Sequence, residues 1–192
     1  MKARLKIQNF GPISDLDIEI SKFNILIGPH ASGKSTIAKE LIALSPGLIT
    51  RIEGDTFWFF IAKGVEKIDR HNNFKMIMTA MVAAAMPYAL YGYETILDFS
   101  MPPWFLETAD KIARTREVPM DYVVLRPGET LCAARAAERS EGIITDYTPY
   151  RELYSAFDEA GRRHIVCNDK GDAGVTAGQI REGLDEGKYR LL

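Results

Sequence analysis

The stretch that most restricts how this 192-residue chain can fold is Gly28-Pro29-His30-Ala31-Ser32-Gly33-Lys34-Ser35-Thr36. It comes directly after the apolar run Phe23-Asn24-Ile25-Leu26-Ile27 and leads into a helix-competent segment, Ile37 to Leu44. The pattern G-x-x-x-x-G-K-[ST] between a buried-type strand and a helix is that of a loop wrapped around phosphate. Gly28 and Gly33 permit the tight turns that aim successive backbone N–H groups, and the positive end of the following helix, at phosphate oxygens. Lys34 then reaches the outer phosphates of a nucleoside triphosphate, and Ser35 offers its hydroxyl to Mg²⁺. His30, Ala31, Ser32 and Thr36 complete the nucleotide-contacting loop. His30 occupies a free position of the motif and reads as loop filler rather than as a catalytic base, because nothing near it in sequence would orient it.

The composition, 46% hydrophobic and 26% charged, suits one globular domain over residues 1–192. A formal charge of −2 with no dense Lys/Arg block lacks the footprint of a nucleic-acid binder. Cys132 and Cys167 have no C-x-x-C spacing, and no charged-then-apolar leader opens the chain, so we expect a reduced cytoplasmic protein without structural zinc. Met76 to Tyr93 carries no charge. Its Ala and Met content, with Thr79, Pro87 and a Tyr-Gly-Tyr end, suits a helix buried against a sheet rather than a bilayer span.

Along the chain, two short strands, Arg4 to Gln8 and Asp15 to Ile20, flank the turn-forming Asn9-Phe10-Gly11-Pro12 and predict an N-terminal hairpin within residues 1–21. Further strands are expected at Leu48 to Glu53, Thr95 to Phe99, Asp121 to Arg126 and His164 to Cys167. Helices are expected at Asn73 to Tyr91, Phe105 to Arg114, Glu129 to Arg139, Tyr150 to Ala160 and Thr176 to Glu186, the last with Thr176 as N-cap. Alternating strands and helices imply a mostly parallel sheet covered on both faces, with ligands at the carboxyl ends of its strands. About 135–150 reads as a movable lid.

Two carboxylates should then meet the phosphate loop. Asp55 ends a strand where it could take the proton of a substrate hydroxyl, although it could also cap the next helix. Asp98 closes the apolar run Thr95-Ile96-Leu97 in the manner of a magnesium-positioning residue, or else forms a turn. Arg135 and Arg139, at i, i+4 on one helix face, could close onto the transferring phosphoryl group; Arg126 lies close by in sequence. Phe57, Trp58, Phe59, Trp104 and Phe105 could wall an acceptor pocket or pack as core, and Asn72 and Asn73 could hydrogen-bond an acceptor. Asn168-Asp169-Lys170-Gly171-Asp172 has one residue too many for the guanine-reading N-K-x-D string.

With these pieces placed, the chain resembles the small P-loop kinases grouped with chloramphenicol phosphotransferase-like, zeta-toxin-like and gluconate-kinase-like proteins, in particular an uncharacterised bacterial branch. The resemblance rests on Gly28 to Thr36, Glu53 to Trp58, Tyr91 to Tyr93, Ile96 to Asp98, Pro103 to Leu106, Tyr122 to Pro127 and Ala134 to Arg139. It implies an α/β P-loop fold with a five-stranded core in the order 2-3-1-4-5, ATP and Mg²⁺ as cofactors, and transfer of the terminal phosphate to a small-molecule hydroxyl. Under it Lys34, Asp55, Asp98, Arg135 and Arg139 are the catalytic candidates, Ser35 and Asp98 the metal candidates. Two departures stand out: Gly54 where relatives often carry an acid, and Phe99 where glycine is common. The Asn-Phe-Gly-Pro hairpin has the flavour of ATP-binding cassette ATPases, but their L-S-G-G-Q signature and a glutamate directly after Asp98 are missing. From another class, a non-transferring regulatory or assembly ATPase is the competing expectation.

Overall fold

The computed structural model describes residues 3–10, 13–20, 23–140, 142–169 and 172–191. Gly11 and Pro12 of the expected turn, Glu141 of the expected lid, and Lys170 and Gly171 lie outside the described residues.

β1 (Ala3–Phe10) and β2 (Ile13–Ile20) pair antiparallel, Ala3 opposite Ile20 and Phe10 opposite Ile13, as the flanking strands of a hairpin. The remaining strands are β3 (Phe23–Ile27), β4 (Ile49–Glu53), β5 (Glu94–Asp98), β6 (Met120–Leu125) and β7 (Ile165–Val166). They form one parallel sheet in the order β4-β5-β3-β6-β7, which is the expected 2-3-1-4-5.

Its central strands are apolar on both faces because helices cover both. The period-2 alternation splits them cleanly. Ile25, Ile27, Leu97, Tyr122 and Val124 belong to one core with Ile77, Met78, Met81, Ala85 and Ala89 of α3 (Arg70–Leu90) and with Ala109 and Ala113 of α4 (Leu106–Thr115). Leu26, Ile96, Val123 and Leu125 belong to another with Ile37, Ala38 and Leu41 of α1 (Lys34–Leu44) and with Ala177, Ile180 and Leu184 of α7 (Ala173–Asp185). The uncharged stretch is thus sheet-facing helix as far as Leu90, with a turn at 91–92, and among the described residues no helix is long and apolar enough to cross a membrane.

The remaining helices are α2 (Asp55–Trp58), α5 (Glu129–Ala137) and α6 (Arg151–Ala156), with 3-10 turns at Thr148–Tyr150 and Phe157–Ala160. Several helix ends differ from expectation: α3 starts at Arg70 rather than Asn73, the expected helix Tyr150 to Ala160 is α6 between two 3-10 turns, and two further differences have a local cause. α5 stops at Ala137, so Arg139 lies beyond it; Ile144 N–H donates to Ala136 O at 3.0 Å as the chain folds back. α7 begins earlier and is capped by Asp172, whose carboxylate accepts from Gly174 N–H at 2.7 Å, while the Thr176 hydroxyl donates to Asp172 O one turn inside. A carboxylate at the cap position suits the positive helix end better than a hydroxyl a turn inside it.

Candidate active site

The phosphate loop runs from the end of β3 into α1, and its shape depends on two glycines. A Cβ at Gly28 would lie 2.4 Å from Leu125 O and 2.5 Å from Ser32 Oγ, so no other residue lets the loop pass the end of β6. Gly33 has φ 90°, and Ala31 also takes a left-handed φ of 58°; together they wind the backbone into an anion-binding concavity. Three remote segments hold this loop. The Ser100 hydroxyl donates to Gly28 O at 3.0 Å, Asn168 Nδ2 to Ser32 O at 2.8 Å, and the Tyr147 hydroxyl to His30 O at 2.9 Å. Lys34 Nζ donates to Gly28 O at 3.1 Å and to Pro29 O at 2.9 Å, folding across the loop it belongs to. Burial pushes its ammonium pKa down, with Asp98 and Asp55 opposing that shift.

A cleft of about 360 Å³ opens over the loop, lined by His30, Ala31, Gly33, Lys34, Ser35, Thr36, Asp55, Asp98, Arg135 and Arg139. Gly28 and Ser32 lie in the loop but not on the cleft wall. The sequence reading missed Glu53 and Ser100 as lining residues, and Phe99 entered it only as a family departure. Ser100 carries no motif. Glu53 is brought in because β4 pairs with β5 so that Glu53 stands opposite Asp98.

The two cleft carboxylates have unlike surroundings, and of the two only Asp98 ends a strand, since β4 stops at Glu53 before Asp55. Asp98 is nearly buried, and Arg51 of the neighbouring strand donates to its Oδ2 from Nη2 at 2.5 Å and from Nε at 3.2 Å. Arg51 also meets Glu53 at 2.6 Å, so one guanidinium joins two carboxylates at the sheet edge. Asp55 is exposed on the cleft wall as the first residue of α2. It does not cap that helix: the N-cap is Gly54, with no side-chain cap bond.

The departures at 54 and 99 are one packing event. A Cβ on Gly54 would lie 2.2 Å from Cδ2 of Phe99 and 2.6 Å from the Met81 sulfur. The Phe99 ring therefore fills the space that a side chain at 54 would occupy, and it stacks on Phe74 at 5.2 Å between centroids. An apolar wall replaces an acid there.

Arg135 and Arg139 both line the cleft although only Arg135 is helical. Arg135 Nη2 donates to Asn168 O at 3.5 Å, while its buried Nη1 has no partner among the described residues. A buried, unpartnered guanidinium nitrogen facing such a cleft fits an anionic group such as a phosphate oxygen. Arg126 is engaged elsewhere: it pairs with Asp158 at 2.6 Å and lies 3.3 Å over the Tyr154 ring. His30 stacks edge-on with Tyr150 at 4.5 Å. Burial, together with Lys34, Arg139 and Arg70, pulls its pKa down to about 4, so it is neutral near pH 7.

Of the expected acceptor-pocket aromatics, Phe105 is wholly buried core, Phe57 and Trp58 pack against that core, and Phe59 is exposed. Trp104 lines a second cavity, described below, and Phe57 a separate one beside Arg51 and Tyr88. Asn72 and Asn73 line none of these. Asn72 bonds to the Asp69 carboxylate and Asn73 Nδ2 donates to Ile68 O at 3.0 Å, both securing the start of α3.

A nucleotide with Mg²⁺ fits these residues. Among the described residues no group of three or more His, Cys, Asp or Glu is arranged as a metal cage. Mg²⁺ does not need one, since it is held through one or two protein groups plus substrate phosphates.

Solved structures share this fold. An APS kinase from Mycobacterium tuberculosis, in complex with AMPPNP and APS, superposes with a TM-score of 0.66 at 14% identity, over 86% of this chain and 98% of that one. A sugar kinase from Janibacter sp. HTCC2649 gives 0.64 at 13% identity, over 86% and 95%. Shikimate kinase from Acinetobacter baumannii, in complex with shikimate, gives 0.60 at 15% identity, over 88% and 95%. At such identities the likeness is one of fold, that of the P-loop kinases. No curated protein matches the sequence. The AAA domain family matches residues 24–146, the stretch that carries the phosphate loop, both cleft carboxylates and the two cleft arginines, and the chain belongs to that family.

Proposed function

We propose that this protein is an ATP- and Mg²⁺-dependent phosphotransferase acting on a hydroxyl of a small molecule, folded as one domain and working in the reducing cytoplasm. The observation that carries the reading is the convergence of Lys34, Ser35, Asp55, Asp98, Arg135 and Arg139 on one cleft over the phosphate loop. The kinase fold of its structural neighbours supports it.

In this reading the loop amides and Lys34 hold the β- and γ-phosphates, and Ser35 and Asp98 hold the metal, which when bound neutralises charge on the phosphates. Asp55 receives the acceptor proton. The acceptor oxygen bonds to the γ-phosphorus as the bond from that phosphorus to the bridging oxygen breaks, and ADP leaves with the electron pair. Arg135 and Arg139 stabilise the charge that spreads over the equatorial oxygens. Geometry favours transfer over a nucleotide-holding switch, because Asp55 is exposed on an open cleft that it lines together with Lys34 and Ser35.

The test is acceptor-dependent ADP release with Mg-ATP, run for the parent and for Asp55→Asn. A drop of roughly 10²–10⁴-fold with Mg-ATP affinity retained is expected if a general base is lost. Equal turnover removes Asp55 from the role. Failure of every hydroxyl acceptor with the parent moves the reading to the regulatory ATPase.

A further inference from the structure

A second cavity of about 380 Å³ lies beside the phosphate cleft, walled largely by Phe74 of α3, Pro102 and Trp104 after β5, and Tyr150 and Leu153 at α6. Its polar groups, Arg70, His71 and Glu152, are exposed side chains. Trp104 remains 43% exposed although His71 stacks on one face of its ring at 4.4 Å. Half-open aromatic surface inside a cavity is the mark of a ligand wall rather than of core packing.

The two cavities share walls at three points. The His30 ring of the cleft meets the Tyr150 ring of the cavity at 4.5 Å. Phe99 of the cleft stacks on Phe74 of the cavity at 5.2 Å. Ser100 of the cleft and Pro102 of the cavity lie on one segment after β5. Resting on the phosphotransferase reading, we propose that this cavity is the acceptor site and that the acceptor is an aromatic alcohol, a flat ring bearing its hydroxyl on a short arm directed between His30 and Phe99 toward Asp55.

The chemistry of the walls selects this class. A cavity of about 150 Å³ holds benzene, so this one has room for a substituted or fused ring. A polyol would bury several hydroxyls against Phe74, Pro102, Trp104 and Leu153, where each unmet hydrogen bond is costly. A ring instead stacks on Trp104 and Tyr150. Phe99, packed over Gly54 and stacked on Phe74, extends that apolar wall up to the cleft.

The test separates binding from transfer. 2-Phenylethanol and 1-naphthalenemethanol represent ring alcohols; ribose and gluconate represent polyols. Without nucleotide, calorimetric titration of the full chain should give ring alcohols at least ten-fold tighter than polyols. Trp104→Ala should weaken them about ten-fold, the loss of one aromatic contact. Ala156→Trp, which puts a bulky ring in place of a small lining residue, should block them, and both variants should bind Mg-ATP like the parent. With Mg-ATP, the phosphorylated ring alcohol and ADP should form in equal amounts. Preferential binding or phosphorylation of the polyols, or ring-alcohol affinity indifferent to both substitutions, overturns the aromatic acceptor while leaving the phosphotransferase reading intact. If ring alcohols bind through Trp104 and Mg-ATP binds, yet neither class is phosphorylated, the phosphotransferase reading fails and the acceptor assignment with it.

Discussion

The phosphate cleft and the aromatic cavity are neighbours built by opposite means. The cleft is shaped by backbone: one continuous loop, wound through left-handed φ at Ala31 and Gly33 and held by Ser100, Asn168 and Tyr147. The cavity is shaped by side chains from three separate segments, α3, the stretch after β5, and α6. The cleft leaves polar capacity unspent, as at Arg135 Nη1; the cavity leaves apolar surface unspent, as at Trp104. One is made to hold charge, the other to exclude water from a ring. Substitutions in the first should therefore act through charge and in the second through volume.

The largest effect on stability is expected at the cleft edge. Arg51→Met leaves the Asp98 carboxylate, 4% exposed, without its ion-pair partner. Stranding a buried charge costs about 3–5 kcal/mol, read as a lower denaturant midpoint. If Asp98 positions Mg²⁺, saturating Mg-ATP should recover part of that loss, and no recovery would count against the metal role. Lys34→Ala comes next. If its charge meets the outer phosphates, removing it should lower Mg-ATP affinity on the order of 100-fold by calorimetry, with a melting curve close to the parent's. Unchanged affinity would break the contrast between a charged and an apolar site.

Gly54→Ala probes volume at the boundary of the two regions. The new methyl meets the Phe99 ring and Met81 sulfur, so overpacking should cost about 1–3 kcal/mol in chemical denaturation. Combining it with Phe99→Ala should be less than additive, because the second change vacates the space the first requires. Additive costs would mean that the two positions are not one packing event. The smallest effect belongs to His30. Its folded pKa of about 4 lies below the ordinary 6.5, so as pH falls the unfolded chain takes up the proton first. Its contribution is fully present above about pH 6.5 and is lost as pH drops toward 4, roughly 1–2 kcal/mol allowing for its partial exposure. His30→Gln should flatten that part of the stability profile, and histidine NMR should show the His30 pKa rising when Mg-ATP places phosphate beside it.

Much of this is legible in the amino-acid sequence. The phosphate loop spans nine consecutive residues, so its spacing alone specifies strand, turn and helix. Strand positions followed from apolar runs because both sheet faces are covered. Helix ends were less legible: nothing local in Glu129 to Arg139 marks a stop after Ala137, which is set by the chain turning back through Ile144. The capping of α7 by Asp172 was missed because a hydroxyl at Thr176 offered an equally plausible local signal. Arg126 could not be separated by sequence from Arg135. Its partner Asp158 lies 32 residues away.

By itself, then, the amino-acid order determined the α/β class, the strand-loop-helix unit around Gly28 to Thr36 and the placing of Asp98 at a strand end, because each is encoded in residues adjacent along the chain. The tertiary structure alone decided which groups share a wall. Parallel pairing of β4 and β5 brings Arg51 to Asp98 and Glu53 to the cleft, and the close approach of strand ends makes Gly54 and Phe99 one packing unit. It also decided that Trp104, and not Phe57, Trp58, Phe59 or Phe105, lines the aromatic cavity. Those outcomes depend on distances between segments far apart in sequence, which residue spacing does not contain.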